Sequence, residues 1–359
     1  MKIFLLFQKI VILFVIFVKI SFLSVFSYGQ DKYSSHVIPA SEISKLISPE
    51  VDTHIQKGLD HFRRKMDAGQ TLGDGGFQDH PAIIALVGMA FLSAGSTPME
   101  GEDAKYVAKC VEMLLSQARV NGVIAREGIS GQSLMYGNGF ALTFLAECYG
   151  MSSEDEKIRV VIQKSVEMLI RAQNEEGGWR YTPTRSEADV SVTACVVMAF
   201  RAARNAGFSV STDVMKKAEA YIRRCQNHDG GYRYRGIIEG ESAFPRTAAA
   251  LAALCAAGHY RGEDLRKGLL YLQNSACPTE DGYYFYAHYY AVQAFWLYQD
   301  EENKDEFLWQ KWYSRVRDEL LSLQKPDGTW ISTISLDHAT AMALIVLQVP
   351  NHSLPILQR

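Results

Sequence analysis

The 359-residue sequence has no excess of basic charge. Its 37 Lys and Arg residues are balanced by 40 Asp and Glu residues, which gives a formal net charge of −3. No run of basic residues is long enough to form a phosphate-binding surface or a polybasic membrane patch. The composition therefore argues against nucleic acid as a partner.

The sequence also lacks cysteines at the close spacing that is typical of a metal site. Six cysteines lie far apart and form no Cys-x-x-Cys pair: Cys110, Cys148, Cys195, Cys225, Cys255 and Cys277. Several occupy apolar stretches, where cysteine usually packs as a small hydrophobic residue. An even number of cysteines in an exported chain also leaves one or two disulfides open. We predict no metal, no cofactor, and cysteines that are mostly free and buried.

Acidic residues are missing from the first 29 positions. Two lysines precede an apolar run over 10–18, and small residues end the segment just before Gln30, as in a secretory signal peptide. Lys19 interrupts the segment, so no clean run of ~20 apolar residues remains for a membrane span. We predict a signal peptide over 1–29 and export to the periplasm or the medium, with a retained signal anchor as the alternative.

An internal repeat organises the rest of the chain. Five glutamines recur at intervals of 47 to 56 residues: Gln117, Gln173, Gln226, Gln273 and Gln324. Each repeat contains an amphipathic segment with helical periodicity, a Gly-bearing turn, and a second helical segment that is apolar on nearly every side. A further unit with a Gly-rich turn precedes the first glutamine, so that six units fit into the sequence.

Six such units predict a closed ring. A helix without a polar face must be covered on every side, whereas an open solenoid would leave its end faces in water. We therefore predict an all-α fold, an α/α toroid of six helical hairpins over 51–359, with the apolar helices inside. Residues 30–50 are predicted to be a linker.

The phrase QNEEGGWRY, which starts at Gln173, returns as QNHDGGYRY from Gln226 and in shorter form from Gln324. The Gln amide can satisfy carbonyls left unpaired at a helix end, and Gly allows the chain to reverse. We expect the aromatic residue to stack on the neighbouring hairpin. The phrase is therefore predicted to be structural. Four more glycines are predicted to cap helix C-termini: Gly95, Gly150, Gly207 and Gly258.

A family resemblance rests on the same phrase. The pattern Gln-x3-Gly-x-Trp at 173–179 and 324–330, and with Tyr at 226–232, looks like the Gln-Trp (QW) repeat of squalene–hopene cyclases and related terpene cyclases. The resemblance extends from about residue 50 to the C-terminus. It implies the prenyltransferase/squalene-cyclase toroid, which binds long isoprenoids inside or at the mouth of the ring.

The chain departs from the catalytic motifs of these families. Class II terpene cyclases protonate their substrate with an Asp-x-Asp-Asp motif, and the nearest match, 187–190, keeps only the third-position acid, Asp189. Protein prenyltransferases hold zinc with Asp, Cys and His. The segment around His288 is similar to theirs, but the Asp-x-Cys partner is missing. The Cys-Gly-Glu-Gln thioester of complement toroids is absent too.

Candidate site residues are expected where the inner helices begin. Asp189, Glu187 and His288 are the catalytic candidates. The candidates for substrate binding are Arg246, Tyr136, Asn138, Tyr289, His338 and His80. We expect Asp189, Arg246 and His288 to converge there, although Asp189 is also a good helix N-cap and needs no further role.

Binding of an isoprenoid or similar lipid in the ring is the favoured function, with peripheral membrane association as a further expectation. An arginine beside Asp189 would keep the carboxyl ionised, and Val190 removes an acid that supports the cyclase motif. One alternative is a terpene cyclase or isomerase that uses Asp189 as its acid. Others are a non-catalytic toroid that binds a protein, and an α/α-barrel polysaccharide lyase or hydrolase based on Glu187 and Asp189.

Overall fold

The computed structural model describes residues 46–128, 134–236, 238–280, 282–298, 308–351 and 354–357. The predicted export segment and most of the predicted linker lie outside these residues. The first helix begins at Pro49, two residues before the predicted start of the toroid. In this part of the chain, no helix has both the length and the apolar character of a membrane span.

Twelve α-helices form six hairpins, as predicted, and the described residues contain no β-strand. The outer helices are α1 (Pro49–Asp67), α3 (Ala104–Ser116), α5 (Asp155–Ala172), α7 (Thr212–Arg224), α9 (Glu263–Asn274) and α11 (Leu308–Leu323). The inner helices are α2 (Pro81–Ser93), α4 (Leu134–Cys148), α6 (Val190–Asn205), α8 (Phe244–Ala256), α10 (Tyr284–Leu297) and α12 (Leu336–Gln348). The outer helices bury one face, whereas the inner helices are buried at nearly every position.

The inner helices close into a ring. Each packs against the next, and α12 packs against α2. Hydrogen bonds join the last hairpin to the first: Gln348 Nε2 donates to Ala90 O at 3.1 Å, and Gln324 Nε2 donates to His54 O at 2.8 Å. The predicted toroid is therefore confirmed. We call the interior of the ring the lumen, the end where the inner helices begin the mouth, and the opposite end the floor.

Three of the repeated glutamines join their hairpin to the next. Gln173 Nε2 donates to Gly177 O in its own turn (2.8 Å) and to Val214 O at the start of α7 (2.9 Å). Gly177 has a φ of +96°, and a Cβ there would lie 2.3 Å from Lys217 O. Only glycine fits so close to the backbone of the next outer helix. Gln226 and Gln324 make the equivalent pairs of bonds.

The aromatic residue of the phrase contacts its own hairpin. Trp179 Nε1 donates to Leu169 O at 2.7 Å, and its ring meets Phe200 edge to face at 5.7 Å. These partners lie on α5 and α6, the two helices that flank the turn. The expectation that this ring would stack on the neighbouring hairpin was therefore wrong, because the indole N–H instead satisfies a carbonyl of its own outer helix.

The predicted glycine caps are confirmed. Gly95, Gly150, Gly207 and Gly258 follow inner helices and have φ between +88° and +100°. This left-handed conformation ends a helix at little cost only in glycine. The prediction of buried thiols also holds for Cys110 and the other cysteines of the helices, while Cys277 is half-buried.

Candidate functional site

Tyrosines of α10 reach across the lumen. The ring of Tyr289 lies 5.8 Å from that of Phe140, and its other neighbour Tyr290 lies at 4.9 Å. Phe140 belongs to α4, which stands opposite α10 in the ring of six helices. Tyr286 lies beside Tyr136 of α4 and Ser191 of α6, and its hydroxyl has no hydrogen-bond partner among the described residues. Two predicted binding residues, Tyr136 and Tyr289, therefore lie in the lumen.

The other face of α10 points outward. His288 packs against Tyr284 (ring centroids 4.5 Å apart) and against Trp312 of the outer helix α11 (5.5 Å). Burial lowers the pKa of His288 to about 3, and Arg315 of α11 lowers it further. The prediction that His288 lies with the other candidates at the mouth was wrong. Its position on the helix turns it toward α11, among aromatic rings that bury it.

Asp189 begins α6 and is fully buried. Its Oδ1 accepts hydrogen bonds from the backbone N–H groups of Ser191 (3.0 Å) and Val192 (2.9 Å). This is an N-cap, as the simpler interpretation of Asp189 predicted. Its second oxygen, Oδ2, is buried and has no hydrogen-bond partner among the residues described. One oxygen is therefore fixed by the helix, and the other is left for a proton or a ligand.

Burial raises the pKa of Asp189 to about 6, although the backbone bonds, Arg180 and the nearby Tyr234 hydroxyl all lower it. The guanidinium that acts on Asp189 is thus Arg180. Arg246, the predicted neighbour, donates instead to the carbonyls of Tyr232 (3.0 Å) and Glu241 (2.6 Å). The expectation that Arg246 lowers the pKa of Asp189 was wrong, because Arg246 bonds elsewhere and desolvation outweighs the effect of Arg180.

Glu187 lies on the rim of the mouth, away from the lumen. Its side chain is 60% exposed and pairs with Arg180 (2.8 Å) and Arg235 (2.9 Å). Asp189, two residues later, is buried. The two acids therefore do not form the pair of carboxyls facing one cleft that a polysaccharide lyase or hydrolase needs.

Two tyrosines of the mouth were missed in the sequence. Tyr181 and Tyr234 bond to each other through their hydroxyls, and Arg180 lies over both rings, 5.0 and 5.9 Å from their centroids. The backbone carbonyl of each tyrosine also accepts a hydrogen bond from the first turn of an inner helix. Met135 N donates to Tyr181 O, and Val190 N donates to Tyr234 O. The signal was present, because both long repeat phrases end in Arg-Tyr.

The predicted residues His80 and His338 lie close together, on the adjacent helices α2 and α12. Burial lowers the pKa of each to about 4, so both are neutral at pH 7. His80 Nδ1 accepts from Ala82 N at 3.2 Å. Within the described ranges, His80 Nε2 and His338 Nδ1 are buried without a hydrogen-bond partner. The pair offers polar atoms to a ligand on a second side of the mouth.

The sequence matches the model of the prenyltransferase alpha-alpha toroid domain over residues 82–284, more than half of the chain. The chain belongs to this family. No curated protein is similar enough in sequence to match it.

Solved structures share the toroid at low sequence identity. The type II terpene cyclase MstE from Scytonema has a TM-score of 0.58 and 13% identity, and the similarity covers 86% of this chain and 100% of MstE. A variant of MstE in complex with geranylgeranyl dihydroxybenzoate, its substrate, has a TM-score of 0.56 and 13% identity over 86% and 98% of the two chains. A protein from Actinoplanes has a TM-score of 0.56 and 14% identity over 84% and 99%. These identities support a common fold alone.

Two polar residues at the start of inner helices hold this toroid together. Asn138 Oδ1 accepts from Ile124 N at 2.8 Å, and its amide donates to Leu134 O at 2.8 Å. In the next repeat, Thr193 Oγ1 accepts a hydrogen bond from Trp179 N at 3.1 Å. Asn138, predicted to bind substrate, thus occupies a structural position of the repeat. Its polar atoms are already used by the backbone.

Asp337 is also structural. It accepts from His61 (2.9 Å), Lys65 (2.6 Å) and the backbone of Gly73 (2.6 Å), and so fixes α12 to the first hairpin. His61 and Lys65 belong to α1. Across the residues that the structure describes, no group of three or more His, Cys, Asp or Glu side chains is arranged to hold a metal ion.

Proposed function

We propose that this toroid binds an isoprenoid or a similar lipid in its lumen, entered from the mouth. The observation that carries the proposal is the lumen face of α10, where Tyr286, Tyr289 and Tyr290 form an aromatic wall inside a ring of apolar helices. Apolar and aromatic surfaces with a few convergent polar groups are typical of ligand sites. The binding of a geranylgeranyl compound by MstE, which has the same fold, supports the choice of ligand.

Such a ligand would lie along the lumen axis. Its chain would pack against Phe140 and the α10 tyrosines, whose ring faces suit unsaturated hydrocarbon. Because these tyrosines contact the opposite helix, their side chains must rotate as the ligand enters. Asp189, His80 and His338 would surround the end of the ligand that lies at the mouth.

A second candidate function is proton-initiated cyclisation or isomerisation, which Asp189 favours. Two backbone N–H groups occupy Oδ1, so a proton on this carboxyl resides on Oδ2. With a pKa of about 6, roughly a tenth of the molecules carry that proton at pH 7. Transfer of the proton to one alkene carbon would leave a cation on the other, which tyrosine ring faces stabilise. Loss of a proton from a neighbouring carbon would end the reaction as an isomerisation.

Blocking the mouth tests the binding proposal. The probe is all-trans geranylgeraniol, titrated into the purified protein and followed by tryptophan fluorescence. Ser191 is half-buried at the mouth, beside Tyr286, so Ser191→Trp should weaken binding at least tenfold. The matched control is Ser116→Trp, which places the same ring on the exposed side of α3. Equal affinities for the two variants, or no binding by the unmodified protein, would reject the proposal.

Export is part of the same proposal. A lipid-binding toroid behind a signal peptide would act outside the cytoplasm, in contact with membrane lipids. N-terminal sequencing of the protein from each cell fraction tests this. We expect a chain that begins at Gln30; a chain that begins at Met1 in the membrane fraction would favour a signal anchor.

A further inference from the structure

Glu147 is a buried acid near the floor of the lumen. It lies on α4, seven residues after Phe140 and therefore on the same face of the helix. Phe140 contacts Tyr289 across the lumen, so Glu147 faces the lumen as well. Glu147 is only 4% exposed, and its Oε2 has no hydrogen-bond partner within the described part of the chain. No pattern in the amino-acid sequence distinguishes it.

Gln293 is a second buried polar residue, on α10, the helix that stands opposite α4. It follows Tyr289 by one turn, and its Nε2 donates to Tyr289 O at 2.9 Å. Its Oε1 is buried and, among the described residues, also without a partner. Both side chains act on the Tyr289 hydroxyl: burial raises its pKa, the Gln293 contact lowers it, and the charge of Glu147 raises it further. Glu147 and Gln293 therefore both lie near Tyr289, toward the floor.

The C-terminal segment closes the floor beneath this place. The short helix Pro355–Leu357 packs against α6 and α10. Glu147 accepts a hydrogen bond from the backbone N–H of Ile356, and Ile356 is buried. The free oxygen of Glu147 is thus the one that Ile356 does not use. The segment therefore separates Glu147 from solvent at this end of the ring.

The two unpaired atoms have complementary chemistry. Burial raises the pKa of Glu147 to about 8, so its carboxyl is mostly protonated at pH 7 and Oε2 can carry a donor O–H. Gln293 Oε1 can only accept. A buried donor and a buried acceptor left without partners are costly to the fold. A ligand that supplies both an acceptor and a donor on one atom would satisfy them.

We propose that the floor of the lumen binds a hydroxyl group, which accepts a hydrogen bond from Glu147 and donates one to Gln293, so that the ligand is a long-chain alcohol. This inference rests on the proposed binding of a lipid in the lumen and adds its orientation. Tyr136 and Glu147 are eleven residues apart on α4, about 16 Å along the helix. The hydroxyl end would lie at the floor, and the far end of the chain would lie near Asp189.

Two ligands of the same length test the proposal. The protein is titrated with all-trans geranylgeraniol and with the hydrocarbon that has hydrogen in place of the hydroxyl. We expect the alcohol to bind at least tenfold more tightly, because the hydrocarbon leaves both buried polar atoms unpaired. Glu147→Leu and Gln293→Leu should each reduce this preference several-fold. Glu147→Gln should keep it, because the amide can accept from Ile356 and still donate to the hydroxyl.

The outcomes separate this inference from the proposed function. Equal binding of alcohol and hydrocarbon by the unmodified protein would overturn the hydroxyl site and leave lipid binding intact. Failure of both ligands to bind would reject the proposed function. If Glu147→Leu does not fold, Gln293→Leu still decides, because it leaves the contact with Ile356 in place. An unchanged preference in Gln293→Leu would also overturn the inference.

Discussion

Buried polar side chains are hydrogen-bonded differently in two regions of the molecule, the junctions between hairpins and the lumen. At the junctions, the amides of Gln173, Gln226 and Gln324 each donate two hydrogen bonds to the backbone. In the lumen, Asp189 and Glu147 each keep one buried oxygen that has no hydrogen-bond partner in the described ranges. The first arrangement contributes to stability, and the second reduces it.

This difference separates what builds the ring from what the ring contains. The junction contacts recur because every hairpin must be joined to its neighbour in the same way. The lumen does not repeat: most of its tyrosines come from α10, whereas α8 consists largely of alanine. Buried polar atoms that weaken a fold and break its repeat are expected at functional sites.

Glu147→Gln should have the largest effect on the free energy of unfolding, and this effect should appear at alkaline pH. The folded chain holds the Glu147 proton up to about pH 8, whereas a model glutamate releases it near pH 4.5. Stability is therefore expected to fall as pH rises from about 4.5 to about 8, since the unfolded chain loses its proton first. The loss is of order 5 kcal/mol at most by linkage. Urea unfolding at pH 5 and pH 8.5 measures it.

The variant should lose this part of the pH dependence. Glu175→Gln is the matched control, because Glu175 is exposed and the same change there should leave the pH profile as it is. If Glu147→Gln unfolds with the same pH profile as the unmodified protein, Glu147 is not the buried acid described above.

Gly177→Ala should be the most damaging change at a junction. The left-handed φ costs about 1–2 kcal/mol for a residue with a Cβ, and the new Cβ would lie 2.3 Å from Lys217 O. Overpacking adds about 1–3 kcal/mol, so we expect a total loss of about 2–5 kcal/mol. Gly207→Ala has a similar φ, +89°, but no atom within 4 Å of the new Cβ. It should cost only the backbone part, as denaturant unfolding of both variants can measure.

The sequence predicted the junctions because their geometry requires particular residues. Gly177 needs a positive φ and a close approach of the next helix, and Gln173 bridges two hairpins. Such needs leave the same letters in every repeat. The repeat also predicts a structural role for Asn138. It lies fourteen residues after Ile124, as Thr193 lies fourteen after Trp179, and each accepts a hydrogen bond from the backbone N–H of that earlier residue.

The lumen could not be predicted in the same way. The α10 segment is aromatic on all sides, so its sequence does not show that Tyr286 and Tyr289 face inward while His288 faces α11. That choice depends on the rotation of the helix within the ring, which packing with the other helices decides. Glu147 likewise stands in an apolar stretch, and only the tertiary structure shows that it meets the C-terminal segment.

Gln173→Ala should have a smaller effect than the glycine substitution. It removes the two bonds to Gly177 O and Val214 O, at a cost of about 1–3 kcal/mol. Gln163→Ala on the same outer helix is the control, because Gln163 is exposed and bonds only to Glu167. Thermal unfolding compares them. Equal stability of the two variants would mean that the repeated glutamine does not hold the hairpins together.

Asp189→Asn should change stability least and function most. Asn caps a helix N-terminus about as well as Asp, and its side-chain oxygen can still accept from Ser191 and Val192. The expected change in the free energy of unfolding is below about 1 kcal/mol. The amide cannot supply the proton that a carboxylic acid on Oδ2 can. If the second candidate function is right, the unmodified protein converts geranylgeraniol to a cyclised or isomerised product, which gas chromatography with mass spectrometry detects. Asp189→Asn should then bind the alcohol within about threefold and form no product.

Glu187→Gln is the control for that experiment, because it changes the neighbouring acid on the exposed rim and should leave product formation unaffected. Full turnover by Asp189→Asn would end the role of Asp189 as an acid. Loss of the fold in Asp189→Asn would contradict the expectation that amide and carboxyl cap α6 equally well. It would show that the role of the Asp189 carboxyl is to cap that helix. Unchanged binding with no product from either protein would leave Asp189 as a ligand contact at the mouth, which is the binding function in its simplest form.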